Sequence, residues 1–160
     1  MSGGREWSKI SPALWRSPRF LGLKGSDERL LLVYFMTCDH MTSSGCFRLP
    51  DGYAIADLGW TMERYRTARD LLGAAGLISF DPATEEVFVD RWFRHNPPTN
   101  AKHAKGARRL INQIDSDGLR EKAEAEFCET DWGGQSEQVV NSELSNHSRL
   151  ANTSIFQRAR

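Results

Sequence analysis

Three arginines and two threonines lie close together in a segment whose apolar spacing predicts a helix over residues 61–75. They are Thr61, Arg64, Arg66, Thr67 and Arg69. A guanidinium donates two parallel hydrogen bonds, which match the paired acceptors of a guanine edge or a phosphate. The group therefore predicts a DNA-binding face with Arg66 at its centre and the other arginines on its flanks. The alternative is a solvated face, because Glu63 and Asp70 share it and can neutralise Arg66.

A second group of cations follows between positions 91 and 109, where the sequence contains six basic residues and no acidic residue. They are Arg91, Arg94, Lys102, Lys105, Arg108 and Arg109. A phosphate backbone responds to local charge, because physiological salt screens charges over roughly 8–10 Å. The run predicts phosphate contacts beside the helix. Its alternative is a solvated linker helix.

The overall charge hides this local pattern. The chain of 160 residues has a formal net charge of zero, which taken alone argues against a nucleic-acid binder. Residues 1–110 contain 16 basic and 12 acidic residues, whereas residues 111–160 contain 5 and 9. The neutral total is therefore the sum of a basic part and an acidic part.

Other chemistries have little support in the sequence. Cys38, His40 and Cys46 lie near one another, but Cys38 falls on an apolar helix face and no Cys-x-x-Cys pair exists, so we predict no metal site. We also find no nucleophile–base cluster and no phosphate-binding loop of the form G-x-x-x-x-G-K, and predict neither an enzyme nor a cofactor. The three cysteines, with Cys128 the third, fit free thiols in a reducing cytoplasm. No apolar run approaches the roughly 20 residues of a membrane span, and we expect no membrane partner.

The elements that must position these cations follow a definite order. Periodicity and turn residues predict a helix at 26–40, a strand at 46–49, a helix at 52–58, a turn at 59–60, the helix at 61–75, and strands at 77–80 and 87–92. We interpret this order as an α+β fold containing a winged helix-turn-helix, in which one helix enters a DNA groove and a hairpin contacts the flanking backbone.

Single residues predict where these elements begin and end. Ser26, Asp51 and Thr61 have side chains suited to the N-caps of the three helices. Gly59 allows the tight turn between two of them, and Gly76 suits a left-handed C-cap.

Apolar positions predict what is buried. In the helix at 61–75 the residues Tyr65, Ala68, Leu72 and Ala75 share one face. The N-terminal arm contains Trp7, Trp15 and Phe20, and we expect these aromatic rings to pack onto the domain.

We divide the chain into three parts. Residues 1–96 form the winged helix-turn-helix domain with its N-terminal aromatic arm. Residues 97–127 form a helical extension that changes from basic to acidic and is interrupted at 115–118. Residues 128–160 form a polar tail that we predict to be disordered.

Several motifs in the first 110 residues carry a resemblance to a known family. They are Trp7-Ser8-Lys9-Ile10 with Trp15 and Phe20, Gly45-Cys46-Phe47-Arg48-Leu49, Ile55-Ala56-Asp57-Leu58-Gly59-Trp60-Thr61, Leu71-Leu72-Gly73-Ala74-Ala75-Gly76-Leu77-Ile78, and Val87-Phe88-Val89-Asp90-Arg91-Trp92-Phe93-Arg94-His95-Asn96-Pro97. With these, the sequence resembles the N-terminal winged-helix domains of phage and prophage replication-initiation proteins, the replisome organiser and DnaD-like group. The resemblance implies binding of origin DNA, self-association, and recruitment of a host replicative helicase or its loader.

We therefore predict a cytoplasmic, double-stranded DNA-binding protein that acts in phage or prophage replication initiation. A homodimer is compatible with this function, because two linked half-sites raise affinity through effective concentration. Two alternatives stay open. One is a transcriptional regulator with the same fold. The other is a winged helix that docks to a protein and binds no DNA, which the acidic loop at 81–86 favours.

Overall fold

A computed structural model of the chain describes residues 7–135. Within these residues the fold is α+β, with seven α-helices and one three-stranded antiparallel sheet. The elements are α1 (Pro18–Leu21), α2 (Ser26–Thr37), β1 (Cys46–Arg48), α3 (Asp51–Leu58), α4 (Met62–Ala74), β2 (Ile78–Asp81), β3 (Glu86–Val89), α5 (Trp92–His95), α6 (Ala101–Ile111) and α7 (Asp117–Cys128). Short 3₁₀ turns lie at Pro12–Arg16 and Gly133–Gln135. No helix in this range is long and apolar enough to cross a membrane.

The sheet has the order β1-β3-β2, and its central strand β3 is buried along its whole length. Successive side chains of a strand point to opposite faces, so both faces of β3 must be covered. Val87 pairs with Phe47 on one side and Phe80 on the other. These residues face α2 and α4, since the Phe35 ring lies 6.3 Å from Phe47 and the Arg69 guanidinium lies 3.8 Å from the Phe80 ring.

Helix α7 covers the opposite face of the sheet. Ser79 points to this face, where the Lys122 ammonium donates to its hydroxyl at 2.6 Å and pairs with Asp90 at 2.8 Å. The predicted interruption of the helical extension is confirmed, because α6 ends at Ile111 and the Ser116 hydroxyl caps α7 by accepting from the Leu119 amide.

Glu86 joins the sheet to this extension. Its side chain is only 5% exposed, and its two carboxylate oxygens accept from the backbone amides of Asp115 at 3.0 Å and Ser116 at 2.7 Å. Glu86 is predicted to belong to the acidic loop at 81–86, and that assignment is wrong, because Glu86 is the first residue of β3. Glu85, the neighbouring acid, does lie at the surface and pairs with Arg48.

The predicted caps are partly confirmed. The Thr61 hydroxyl accepts from the Arg64 amide, and both Gly59 and Gly76 are left-handed, with φ of 65° and 64°. Ser26 and Asp51 are instead the first residues of their helices, behind N-caps that are glycine and proline. Asp51 does not cap because two arginines of α4 bind its carboxylate.

Other boundaries differ from the predictions. Helix α2 ends at Thr37 and not at His40, because Cys38 is extended. Strand β3 ends at Val89, and Arg91, with φ of 64°, turns the chain into α5, so that Trp92 begins a helix and does not extend the strand. Ala75, predicted to be buried, is exposed at the end of α4.

The N-terminal arm packs onto the fold through Phe20 and Leu23, which are 1% and 5% exposed, and through Leu14, which lies against the core. Trp15 touches the Phe20 ring edge-on at 5.3 Å but remains 64% exposed, and Trp7 is 73% exposed. The expectation that the aromatic rings pack onto the domain is therefore confirmed for Phe20, whereas Trp15 packs only edge-on and Trp7 remains at the surface. Of the predicted disordered tail, residues 128–135 continue from α7 into the last 3₁₀ turn, and residues 136–160 lie outside the described part.

Gly45 permits a close approach between β1 and α5. Its φ is 78°, and a Cβ at this position would overlap the Trp92 indole, whose Nε1 donates to the Ser43 carbonyl at 3.0 Å. Only glycine combines this backbone conformation with room for the ring.

We expect Glu86→Ala to lower the free energy of unfolding by about 2–4 kcal/mol, because the buried Ser116 amide and the partly buried Asp115 amide would lose a charged acceptor. Glu85→Gln is the matched control and should change it by less than about 0.5 kcal/mol, because its ion pair is exposed. Urea titration followed by circular dichroism measures both. Equal effects of the two variants would contradict the role given to Glu86.

Candidate nucleic-acid interface

Helix α4 exposes four of the five polar residues predicted to face DNA. Thr61 caps the helix, and Arg64, Arg66 and Thr67 lie on its surface. The opposite face packs through Tyr65 and the other buried residues of α4 against α2 and the sheet. The structure exposes these four side chains, but Arg64 is directed towards Asp27 of α2 and Arg66 towards Asp51 of α3.

Arg69 lies elsewhere. Its side chain is 9% exposed, and its guanidinium sits 3.8 Å from the Phe80 ring and donates to Asp51 at 2.7 Å. Arg69 is predicted to lie on the flank of the DNA-facing surface, but its side chain points into the fold beneath β2. It therefore supports the fold and does not offer its charge to a ligand.

The exposed arginines of α4 are already paired. Arg64 donates two hydrogen bonds to the Asp27 carboxylate, at 2.6 and 2.7 Å, and lies 4.5 Å from the Trp60 ring. This hydrogen bonding lowers the pKa of Asp27 and raises that of Arg64. Arg66 pairs with Asp51 at 3.0 Å. The predicted alternative, in which Glu63 or Asp70 neutralises Arg66, is wrong, because its partner comes from α3.

The basic run from Arg91 to Arg109 is distributed over α5 and α6. Helix α6 buries Ala104, Ala107 and Ile111 and turns three cations to solvent. These cations, which we call the basic stripe, are Lys102, Lys105 and Arg109. Their spacing of three and four residues places them on one face of the helix.

Arg108 does not belong to the basic stripe. Its guanidinium lies 4.8 Å from the Phe127 ring, and one of its nitrogens donates to the Gly133 carbonyl at 3.4 Å. It holds α6 against the end of α7, so the structure gives this predicted phosphate contact a packing role.

Arg91 and Arg94 form a separate basic cluster with Arg19 and His95, all four of which line a groove of about 320 Å³. Burial, together with these neighbouring cations, lowers the pKa of His95 and keeps it neutral at pH 7. Burial and the charge of Arg91 likewise lower the pKa of Arg19. Sequence reasoning missed Arg19, because it lies far from the run along the chain and reaches this cluster through a hydrogen bond to the Gly76 carbonyl.

Acidic residues limit the anion affinity near Arg91 and Arg94. Both arginines also line a groove of about 630 Å³ together with Glu126, Glu129 and Asp131. The Arg91 amide donates to Glu126 at 2.7 Å, and burial raises the pKa of that carboxyl group.

The two groups of cations therefore differ in their pairing. Both exposed arginines of α4 bind a carboxylate, whereas none of the six cations from Arg91 to Arg109 forms a salt bridge within residues 7–135. The basic stripe on α6 is thus an exposed positive surface whose cations have no carboxylate partner within residues 7–135.

The three residues considered for a metal site do not form one. Cys38 and Cys46 are buried, and burial raises the pKa of Cys38 and raises that of Cys46 to about 12. In the part of the chain that the structure describes, no three His, Cys, Asp or Glu side chains lie close enough to hold a metal ion.

Comparisons with models of protein families, with curated proteins and with solved structures found no match to this chain.

We expect Asp51→Ala to lower the free energy of unfolding by about 3 kcal/mol, because it leaves the buried guanidinium of Arg69 without its partner. Arg66→Ala removes only the exposed partner of the same carboxylate and should cost less than about 1 kcal/mol. Thermal unfolding of both variants measures the difference. If Arg66→Ala were as destabilising as Asp51→Ala, the buried pair would not be the important one.

We expect one thiol of the native protein to react rapidly with a maleimide at pH 8 and three to react in 8 M urea. The thiolate is the reactive form, and burial keeps Cys38 and Cys46 protonated at this pH. Mass spectrometry identifies the modified residue, which should be the exposed Cys128. The variant Cys128→Ser should lose the rapid reaction, and rapid labelling of Cys46 would contradict the packing of β1.

Proposed function

We propose that this protein binds double-stranded DNA through a winged helix-turn-helix and acts in replication initiation of phage or prophage origin. We place α4 in a DNA groove in this proposal, and the basic stripe of α6 contacts the phosphate backbone. The observation that carries it is that the basic stripe is exposed and that its three cations form no salt bridge among the described residues.

The arrangement of elements supports the winged-helix interpretation. A core helix, a short strand and two helices joined at Gly59 are followed by the β2–β3 hairpin, and β1 pairs with the outer side of that hairpin. In such a fold the second helix of the helix-turn-helix, here α4, is the one that reads the groove. It exposes Thr61, Arg64, Arg66 and Thr67.

The ion pairs of α4 are compatible with DNA binding. An exposed pair contributes little to stability, because water and salt screen it. A phosphate oxygen can replace the Asp51 carboxylate on Arg66, while Asp51 keeps its bond to Arg69. Arg66 only exchanges one acceptor for another when it binds DNA, so α4 binds weakly until a phosphate or guanine is correctly placed. We therefore assign the initial contact to the basic stripe.

The biological role rests on the sequence resemblance to replication-initiation proteins. On that basis we propose that the protein acts in the cytoplasm at origin DNA, and that a host replicative helicase or its loader is its protein partner.

A protein-docking function is the second candidate. The pairing of Arg64 with Asp27 and of Arg66 with Asp51 favours it, because these arginines have no free charge to attract a polyanion. Helix α7 also presents the exposed acids Asp117, Glu121 and Glu124, which suit a basic partner.

Fluorescence anisotropy with a random 20-bp duplex between 50 and 300 mM salt separates the two candidates. We expect binding that weakens steeply with salt, and Lys102→Gln/Lys105→Gln should lower the slope of log affinity against log salt by about 0.9 for each contact removed. The matched control is Arg16→Gln/Lys24→Gln, which removes two exposed cations elsewhere and should leave the slope unchanged. Absence of wild-type binding at 50 mM salt would make the docking function the leading one.

A further inference from the structure

An open slot lies between the N-terminal arm and the start of α6. We call it the arm slot, and Trp7, Lys9, Trp92, His95, Asn96 and His103 line most of it. Its volume of about 540 Å³ is within the range of small-molecule sites. The mechanism proposed for α4 and the basic stripe uses none of these six residues.

The two tryptophans of the arm slot have different surroundings. Trp92 is buried, and its hydrogen bond to the Ser43 carbonyl fixes the indole as part of the floor. Trp7 is 73% exposed, although an indole has a large apolar surface that is costly to leave in water. An exposed ring beside a slot is the arrangement that proteins use to stack the bases of single-stranded nucleic acids.

The polar groups of the arm slot suit a neutral heterocycle. His103 Nδ1 accepts from the Thr99 amide at 3.3 Å, so the neutral ring carries its proton on Nε2, which leaves an N–H donor. His95 is neutral at pH 7 because burial and nearby arginines lower its pKa. Asn96 adds an amide that can both donate and accept. Lys9 is the one permanent cation among the lining residues, so the slot is a poor site for a polyanion or a metal ion.

The first turn of α6 contains one residue of the arm slot, His103, and one residue of the basic stripe, Lys102. His103 lies in the first turn of α6, next to Lys102 and behind the N-cap Asn100, and Lys105 follows one turn later. A nucleotide whose base occupies the slot would have its phosphate near the positive end of α6, where Lys102 is the first exposed cation of the basic stripe. Aromatic and neutral polar groups suit a base, and the cations that follow suit a phosphate. A single strand of nucleic acid presents a base and a phosphate in the same order.

We propose that the arm slot binds one unpaired nucleobase of DNA, stacked on Trp7, while the basic stripe binds the phosphates of the same strand. The protein would thus prefer duplex DNA that has an unpaired end or a melted segment over a fully paired duplex. This inference rests on the proposed DNA-binding function and adds a second class of DNA structure to it.

The test compares a blunt 20-bp duplex with the same duplex extended by three unpaired thymines. We expect the wild-type protein to bind the extended duplex more tightly. Trp7→Ala should weaken binding of the extended duplex by roughly 5- to 150-fold, from about 1–3 kcal/mol per stacked base, and leave binding of the blunt duplex unchanged. Trp7→Phe should retain most of the affinity, since it keeps an aromatic face.

Trp15→Ala is the matched control, because Trp15 is also exposed but does not line the arm slot. It should bind both DNAs like the wild type. Thermal unfolding of the two alanine variants should match that of the wild type and show that both fold.

The outcomes separate this proposal from the proposed function. If Trp7→Ala binds the extended duplex as tightly as the wild type, while Lys102→Gln/Lys105→Gln weakens it, the slot proposal is wrong and the DNA-binding function stands. If Trp7→Ala weakens both DNAs equally, the residue has no role specific to unpaired bases. If the wild type binds neither DNA at 50 mM salt, both proposals are wrong.

Discussion

The arrangement of the other elements depends on the hydrogen bonds that the buried carboxylate of Glu86 accepts. This carboxylate lies on the central strand and binds the two amides that precede α7, so the sheet and the C-terminal helices form one packed unit. With α7 in place, Lys122 forms a salt bridge with Asp90, and Glu126 accepts a hydrogen bond from the Arg91 amide. These contacts orient α5, and through it the start of α6. A charge in the hairpin therefore determines where the basic stripe lies.

Local signals explain what the sequence could predict. Thr61, Gly59 and Gly76 act within a few residues of themselves, so the bounds of α4 follow from side-chain chemistry and backbone sterics alone. The break between α6 and α7 has the same origin, in the Asp-Ser-Asp-Gly segment that includes the capping Ser116. The ends of these elements can therefore be predicted from the sequence.

Non-local contacts explain what the sequence could not predict. Asp27 and Asp51 are suitable residues for the start of a helix, and only the packing of α2 and α3 against α4 makes them partners of arginines. Glu86 belongs by composition to an acidic loop, and it is buried because the register of β3 turns it towards α7. Trp7 and Trp15 show the converse, since average hydrophobicity predicts burial for residues that the fold leaves at the surface.

Gly45 has a consequence for how this chain can evolve. The backbone at this position is left-handed and lies against the indole of Trp92, so a side chain at position 45 has no room while the indole is in place. A substitution at position 45 would push the ring out of the floor beside β1, whereas a smaller residue at position 92 would remove the overlap but not the left-handed backbone that also favours glycine. Homologues that keep a tryptophan at position 92 should therefore keep glycine at position 45, whereas Trp7 at the rim is free to drift between aromatic residues.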